Sequence, residues 1–386
     1  MGITGYGGIA VFDQIKKEYV EKHTIISEKK FFSALSLAQV LPGSTIISLV
    51  SYFSYLKAGL IGAILSTIIY LLPTFVITTL LSFLYFQFNS VSSFRFLMDG
   101  LNILLIALLI RALRGMSGKV FIYENRVDYC AIIISVICFL IYFFTRQAII
   151  YVVLLSGILG VVLYFKRHNQ INTEHQHTNN KPFIIHKAAG IVLLLSIGAF
   201  ALLIYFTSST LWLLLFSFMK VGLLSFGGGI AAIPLIQNIV VYQHHWFTDT
   251  QFWDGIAISQ ITPGPILIST AFFGYKVGGI LGGIIATIGM SIPSVLLMIM
   301  CGKIFDRISH NHTIQSIVRG FLAGFMGMLA VLILQQSMHY LVSWYAVLFC
   351  VLLLLVLRLK AGISLGITSA FVYSFLLLFS RLLFYK

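Results

Sequence analysis

Long runs of apolar residues fill most of the chain, and few polar residues interrupt them. A helix needs about 20 such residues to cross a bilayer, and this length criterion predicts about nine to twelve crossings. The longest apolar runs comprise residues 60–86, 96–113, 129–144, 148–165, 188–206, 280–300, 320–334, 341–357 and 362–379. The pattern predicts an all-α polytopic integral membrane protein.

The interruptions of the apolar pattern occur twice, in the same order. A Gly-Gly element comes first, then Gln-x-x-Pro-Gly, then an apolar segment with an internal proline. Equivalent positions lie 220 or 221 residues apart: Tyr6 and Phe226, Gln39 and Gln260, Pro73 and Pro293. Repeats of this kind place a transporter's substrate site at the seam between two halves. We therefore predict two homologous helical repeats with broken helices at the repeat interface, spanning residues 1–165 and 188–386. The Gly/Pro pattern leaves open whether the repeats run parallel or inverted.

The positions of the charged residues predict how the chain is oriented in the membrane. Hydrophobic residues make up 59% of the chain and charged residues 9%, yet the net charge is +14. Nucleic acid is not expected as a partner, because the cations fall in short segments between apolar runs, as the positive-inside rule describes. The basic clusters at 16–30 and 166–187 are predicted to be cytoplasmic, and 166–187 is predicted to be a polar linker. Its histidines could bind a metal, but Glu174 is the only carboxylate in the segment and no cysteine accompanies them, so a solvated linker is the favoured interpretation.

Adjacent glycines lie inside each apolar half, at Gly7-Gly8 and Gly227-Gly228-Gly229. Each glycine in a helix interior costs about 1 kcal/mol, so these positions predict unwound backbone. Unwound backbone in a membrane survives only when protein or a watery cavity surrounds it. A helix that restarts after the glycines presents free N–H groups, which suit an oxyanion. The alternative is a close helix–helix contact through small residues.

The Pro-Gly elements form the second break, at Pro42-Gly43-Ser44 and Pro263-Gly264-Pro265. Gln39 and Gln260 place side-chain amides beside them, although a buried glutamine can also cap a severed carbonyl. Serine and threonine hydroxyls follow each break (Ser48, Ser269, Thr270). Neutral donors fit an anion better than a naked cation, which prefers carboxylates.

Few charged residues fall inside the apolar runs. Lys220 precedes the second Gly-Gly element, and snorkelling to the interface is an alternative role for it. Asp254 has no acidic counterpart, because Ser33 occupies the equivalent place, so a proton relay built on paired acids is not favoured. No catalytic constellation such as HExxH occurs, and the four cysteines lack metal-ligand spacing. We expect no enzyme activity, catalytic residue, metal or cofactor.

The motif set resembles the chromate transporter (CHR) family, whose long members carry two such domains. The resemblance rests on Ser225-Phe-Gly-Gly-Gly229, Trp246-Phe-Thr248, Asp254–Gln260, Thr262-Pro-Gly-Pro265 and Gly274-Tyr275. The first half departs from the family pattern, with Tyr6-Gly-Gly-Ile9 and Ser44 after Pro-Gly. The resemblance implies transport of chromate, with sulfate as the isosteric competitor. The implied direction is outward across the plasma membrane, since a dianion leaving a negative interior gains about 4.6 kcal/mol per 100 mV.

We predict these residues to bind the substrate: Gly7, Gly8, Gln39, Pro42, Gly43, Ser44, Lys220, Ser225, Phe226, Gly227, Gly228, Gly229, Gln260, Pro263, Gly264 and Pro265. The predicted partners are a small inorganic oxyanion and the lipid bilayer, and a homodimer stays open. The rival functions are export of another small anion or solute on the same fold, and, less favoured, a membrane-embedded enzyme.

Overall fold

The computed structural model describes residues 14–22, 26–88, 91–123, 126–146, 149–165, 209–262, 264–302, 312–359 and 365–374. Four sequence predictions lie outside these residues: the Gly7-Gly8 element, Pro263, the polar linker and the apolar run at 188–206.

The described chain is helical almost throughout. The helices are α1 (Glu28–Val40), α2 (Thr45–Phe88), α3 (Ser92–Val120), α4 (Tyr129–Thr145), α5 (Ile149–Phe165), α6 (Ser209–Leu224), α7 (Ala232–Gln237), α8 (Asp249–Ile261), α9 (Ser269–Cys301), α10 (His312–Tyr340), α11 (Trp344–Val356) and α12 (Leu365–Ser374). Single π-helical turns occupy Lys17–Lys22 and Asn238–Gln243. Two short strands, Ile122–Tyr123 and Arg126–Val127, pair as an antiparallel ribbon.

The prediction of a polytopic all-α membrane protein is confirmed. Among the described residues, four helices are long and apolar enough to cross a membrane: Thr45–Phe88, Phe94–Val120, Ile266–Cys301 and Thr313–Tyr340. Along α2, large apolar side chains such as Ile61, Ile69 and Val76 are 72%, 67% and 56% exposed. Side chains of this kind lower their free energy by facing lipid tails rather than water, so these surfaces are the lipid-facing ones.

The helix starts follow local capping rules. Thr248 and Gln251 form a capping box at the start of α8, in which the side chain of each accepts the backbone N–H group of the other. Ser27 caps α1 by accepting the N–H of Lys30 at 3.4 Å. Both caps satisfy N–H groups that an isolated helix start would leave unpaired.

Two sharp kinks divide α2 and α9 at equivalent places. Ala58 and Gly59 have φ/ψ values of −133°/20° and 63°/−154°. Gly278 and Gly279 have nearly the same values, −147°/28° and 61°/−150°. The two helices therefore consist of segments 45–57 and 60–88, and of segments 269–277 and 280–301.

The chain reverses direction at each kink. Residues eight apart in a straight helix are separated by about 12 Å. Here a Cβ atom placed on Gly62 would lie 2.6 Å from the carbonyl oxygen of Ser54, and one on Gly282 would meet the carbonyl oxygen of Gly274. Segments 60–88 and 280–301 therefore run back along the short segments that precede them.

The Pro-Gly breaks also reverse the chain, so each pair of short helices forms a re-entrant hairpin. In the first repeat, Phe31 of α1 packs on Phe53 of segment 45–57 with ring centroids 5.7 Å apart. In the second, Phe252 of α8 packs on Phe273 of segment 269–277 at 5.6 Å. Residues early in one arm thus face residues late in the other. We call these units hairpin 1 (residues 28–57) and hairpin 3 (residues 249–277).

The second repeat contains a further hairpin, formed by α6 and the helical residues 229–243. Ser217 Oγ lies 3.1 Å from His244 Nε2, which joins the outer part of α6 to the end of the returning arm. We call this unit hairpin 2 (residues 209–243). Its tip is the Ser225–Gly229 element. The equivalent sequence element of the first repeat, Gly7-Gly8, lies outside the described residues.

Hairpins 1 and 3 enter the protein from opposite faces. In hairpin 1, Tyr52 OH donates to the carbonyl oxygen of Gly302, 3.4 Å away at the end of α9. In hairpin 3, Phe272 packs at 5.2 Å on Tyr85, near the end of α2. Because segment 280–301 starts at the open end of hairpin 3 and ends at the open end of hairpin 1, the two hairpins point toward each other. The repeats are therefore inverted, which the sequence left open.

The remaining long helices pack through small residues. A Cβ atom on Gly222 of α6 would lie 2.7 Å from the carbonyl oxygen of Met290, and one on Gly289 would lie 2.8 Å from that of Leu215. Helix α10 approaches α5 in the same way, since a Cβ atom on Gly157 would lie 2.7 Å from the ring of Phe321. Such contacts let helix backbones pack closely where lipid removes the hydrophobic driving force between helices.

The inverted arrangement predicts opposite accessibility of the two kinks. Lys57 and Lys276 are both exposed and precede the kinks. We expect Lys57→Cys and Lys276→Cys, each in a background without the four native cysteines, to react with a membrane-impermeant maleimide from opposite faces. Helix α3 starts beside the end of segment 60–88 and is 29 residues long, so we expect it to cross back to the Lys57 face before Asp128. Tyr164 OH donates to Asp128 at 2.6 Å, which places the end of α5 on the same face as Asp128. Asn179→Cys in the linker should therefore share the accessibility of Lys57→Cys. Labelling of both kink variants from one face would contradict the inverted arrangement.

Candidate functional site

The tips of the three hairpins meet in the interior of the protein. The N–H of Gly43, at the tip of hairpin 1, donates to the carbonyl oxygen of Ser225 in hairpin 2 at 2.8 Å. A Cβ atom on Gly229 of hairpin 2 would lie 3.2 Å from Cβ of Ile266, just after the tip of hairpin 3. Breaks that are distant in sequence thus form one cluster at the interface between the repeats.

Each Pro-Gly tip also contacts the proline-bearing helix of the other repeat. Ser44 N–H donates to Ser294 Oγ at 3.0 Å, and Ser294 follows Pro293 in α9. A Cβ atom on Gly264 would lie 2.6 Å from Thr74 Oγ1, and Thr74 follows Pro73 in α2. Ser294 and Thr74 are 220 residues apart, so the contact occurs twice under the pseudo-symmetry. Neither hydroxyl was among the predicted site residues, although a hydroxyl residue directly follows each of the two aligned prolines.

The glycines at the tips have backbone conformations that other residues rarely adopt. The φ angles are 103° at Gly43, 91° at Gly227, 96° at Gly228 and 139° at Gly264. A side chain at positive φ costs about 1–3 kcal/mol, which explains why these positions are glycine. The predicted breaks at the Gly-Gly and Pro-Gly elements of the second repeat, and at Pro42-Gly43, are therefore present in the structure.

Three helix N-termini face the cluster: those of segments 45–57, 229–243 and 269–277. The positive ends of helix dipoles favour an anion there. The C-termini of α1, α6 and α8 reach the same place, so the sign of the preferred ion depends on which groups remain unpaired. Within the described chain, the N–H groups of Gly227, Gly228 and Gly229 have no hydrogen-bond acceptor. The hydroxyl of Ser269 is fully buried and has no partner there either. Among the described residues, the cluster therefore offers these four donors to an anion.

The other predicted site residues differ in their burial and in whether their hydrogen-bonding groups are already engaged. Pro42, Gly43, Ser44, Ser225 and Pro265 are buried at the tips. Two predicted donors are already engaged within the protein, namely the N–H groups of Gly43 and Ser44. Phe226 is half-buried and stacks on Phe321 of α10 at 4.4 Å.

The two glutamines differ in their surroundings. Gln39 is exposed, whereas Gln260 is half-buried near the end of α8. Neither side chain forms a hydrogen bond with the described residues. The predicted role of these amides in binding substrate therefore stays a prediction, and Gln260 is the better placed of the two.

Lys220 lies on α6 about one helical turn before the tip of hairpin 2. It is half-buried and, with Leu224 and Asn238, lines a small apolar recess beside α5. Burial, and next the charge of Lys220, lowers the pKa of His244 at the outer end of the hairpin. Lys220 thus places positive charge in the second hairpin without lying at the tips themselves.

Comparison with known proteins gives a consistent set of matches. A family model described as chromate transporter matches residues 1–161 and 212–377. The chain is 28% identical to an uncharacterized transporter of Methanocaldococcus jannaschii, over 98% of this chain and 92% of that protein. It is 27% identical to a probable chromate transport protein of Synechococcus elongatus, over 88% and 83% of the two chains. A chromate transport protein of Pseudomonas aeruginosa is 26% identical over 85% and 76%. No solved structure matches the chain.

Proposed function

Because the chain belongs to the chromate transporter family, we propose that this membrane transporter moves a tetrahedral oxyanion dianion, chromate in the first place, with sulfate as its competitor. The substrate binds where the tips of hairpins 1, 2 and 3 meet. The family assignment supports transport, and the relatives named for chromate support the choice of ion.

One observation carries the proposed site: the tips of inverted repeats converge, and neutral donors there have no partner among the described residues. The N–H groups of Gly227–Gly229 and the Ser269 hydroxyl are such donors. A dianion held by neutral donors and helix N-termini keeps its charge compensated without a salt bridge. A divalent cation would instead prefer carboxylate ligands, and the described tips contain none.

The proposed direction is outward across the plasma membrane. A dianion that leaves a cell with a negative interior gains about 4.6 kcal/mol per 100 mV, enough for about a thousandfold gradient. The same argument applies to any small dianion, so it supports efflux without choosing between chromate and sulfate. Export of another small anion on this fold is the alternative outcome of the test below.

Everted membrane vesicles give the direct test. We expect vesicles that contain the protein to accumulate chromate when the lumen is positive, and excess sulfate to inhibit this uptake. Vesicles from cells without the protein are the control. Equal chromate uptake by the two preparations would contradict the proposed substrate.

A single amide substitution tests the placement of the site. We expect Gln260→Ala to lower chromate uptake by about tenfold, as expected for the loss of a hydrogen bond to a charged group. The matched control is Gln87→Ala at the exposed end of α2, which should transport like the unmodified protein. Protein level and detergent-solubilised monodispersity should be the same for both variants. An unchanged uptake rate in Gln260→Ala would remove this residue from the site.

A further inference from the structure

A carboxyl group lies buried in hairpin 3, where the transport site does not use it. Asp254 of α8 is 4% exposed. Tyr85 OH donates to its Oδ2 at 2.8 Å, and Asn102 Nδ2 donates to its Oδ1 at 2.6 Å. No lysine or arginine among the described residues lies within salt-bridge distance of it. A carboxylate inside a membrane protein with only neutral partners is costly to keep ionised and marks a functional position.

The hydrogen bonds continue from Asp254 to α10. Gln336 Nε2 donates to Asn102 Oδ1 at 3.0 Å. The other atom of that amide, Gln336 Oε1, is buried and has no partner among the described residues. The chain of bonds thus ends in an unused acceptor. Buried polar groups without partners are rare enough to require an explanation.

A proton added to Asp254 finds an acceptor already in place. A protonated carboxyl group carries a donor, whereas a carboxylate only accepts. The Tyr85 oxygen lies 2.8 Å from Asp254 Oδ2, and a phenol can accept a hydrogen bond as well as donate one. Asn102 Nδ2 continues to donate to Oδ1 and to the carbonyl oxygen of Met98, so the neutral carboxyl group fits the same arrangement of side chains.

The charged and titratable groups around Asp254 do not supply a fixed counter-charge. Tyr85 of α2 faces it directly. Arg95 and Asp99 of α3 and Tyr340 of α10 act on it from farther away, and the Arg95 and Asp99 charges oppose each other. Lys276 of α9 is engaged with Gln251 at the outer end of α8. Protonation is thus the simplest way to neutralise the Asp254 carboxylate.

The position of Asp254 couples it to the substrate site. About 10 Å of α8 separates it from the tip of hairpin 3. A dianion at the tips repels an ionised Asp254 and does not repel a neutral one. We propose that Asp254 takes up a proton when the dianion binds, so that the anion and one proton are carried together. The inference rests on the proposed anion site and adds the coupled ion to it.

Binding measurements at two pH values test the coupling. Sulfate is the probe, because it stays a dianion across the range used. By calorimetry on the purified full-length protein, we expect sulfate to bind about tenfold tighter near pH 6 than near pH 8, within the usual range of coupling between two sites. By the same linkage, sulfate addition in weak buffer should take protons from solution.

Asp254→Asn keeps the hydrogen-bonded shape and cannot ionise. It should bind sulfate tightly at both pH values and take up no proton. Asp249→Asn, an equal change of charge on the same helix, should keep the pH dependence. If Asp254→Asn fails to fold, Tyr85→Phe removes one donor to the carboxylate and should move the midpoint of the pH dependence upward. Equal sulfate affinity at both pH values in the unmodified protein would overturn the coupling and leave the proposed transport standing. Failure of both sulfate and chromate to bind at any pH would overturn both.

Discussion

Gly43→Ala is expected to destabilise the protein by about 2–6 kcal/mol and to abolish most of its chromate uptake. Gly43 has a φ of 103°, where a side chain costs about 1–3 kcal/mol. A Cβ atom there would also overlap Ser294 Oγ and lie 2.9 Å from Ser294 Cβ, and overpacking of this kind costs a further 1–3 kcal/mol or so. Thermal unfolding of the detergent-solubilised protein and vesicle uptake are the measurements.

Second-site changes separate the two causes of this loss. Ser294→Gly removes both overlapping atoms, and it also removes the acceptor of the Ser44 N–H group, so the single variant Ser294→Gly is the reference. Added to Ser294→Gly, Gly43→Ala should cost the backbone part alone, about 1–3 kcal/mol. Gly118→Ala is the matched control, because Gly118 lies in α3 with nothing within 4 Å of an added Cβ. A Gly43→Ala protein as stable as Gly118→Ala would show that the tip of hairpin 1 does not pack against α9.

Gly228→Leu is expected to eliminate chromate uptake while lowering stability by only about 1–3 kcal/mol. Gly228 has a φ of 96°, so the backbone is strained by any side chain. The nearest atom to an added Cβ is Thr45 Oγ1 at 3.9 Å, which leaves room for the first carbon. The rest of the leucine side chain would occupy the space where hairpins 1 and 2 meet and would cover the free N–H groups.

Gly59→Leu provides the control for backbone strain. Gly59 has a φ of 63° and nothing within 4 Å of an added Cβ, and it lies at the kink rather than at the tips. We expect Gly59→Leu to lose a similar amount of stability and to retain chromate uptake. Equal loss of uptake in the two variants would indicate that strain, and not occupation of the site, causes the defect.

Proton coupling at Asp254 would change the driving force of transport. A dianion carried alone moves two charges, whereas a dianion carried with one proton moves one. The electrical gain on efflux then falls to about 2.3 kcal/mol per 100 mV. The inference therefore links a single buried carboxyl group to the size of the gradient that the protein can support.

The two repeats differ in a way that their shared pattern does not reveal. Ser44 donates its N–H to Ser294 across the repeat interface. The equivalent residue in the second repeat is Pro265, which has no N–H to donate to Thr74. The substitution that made the first repeat depart from the CHR motif therefore adds a hydrogen bond between the repeats. Its consequence is visible only once the partner hydroxyl is known.

The helix breaks could be predicted from the sequence, because they depend on the residues at the break. Features that depend on contacts with distant residues could not be predicted. The Gly227–Gly229 and Pro-Gly elements were found from the sequence because glycine and proline act on their own backbone. The reversal at Ala58-Gly59 and Gly278-Gly279 was missed, although both are small-residue pairs at equivalent positions. Within a long apolar run, such a pair is equally compatible with a continuous helix. The bonds of Asp254 to Tyr85 and Asn102 could not be predicted, because the three residues are far apart in the chain.

By itself, the sequence determined the membrane class, the apolar runs, the two-fold repetition and the places where helices break. These properties follow from hydrophobicity and backbone freedom, which act over a few residues. Only the tertiary structure decided that the broken helices re-enter, that the repeats are inverted and that their tips meet. The direction of a chain after a break depends on which neighbouring backbone and side chains satisfy its polar groups, and those neighbours lie in the other repeat.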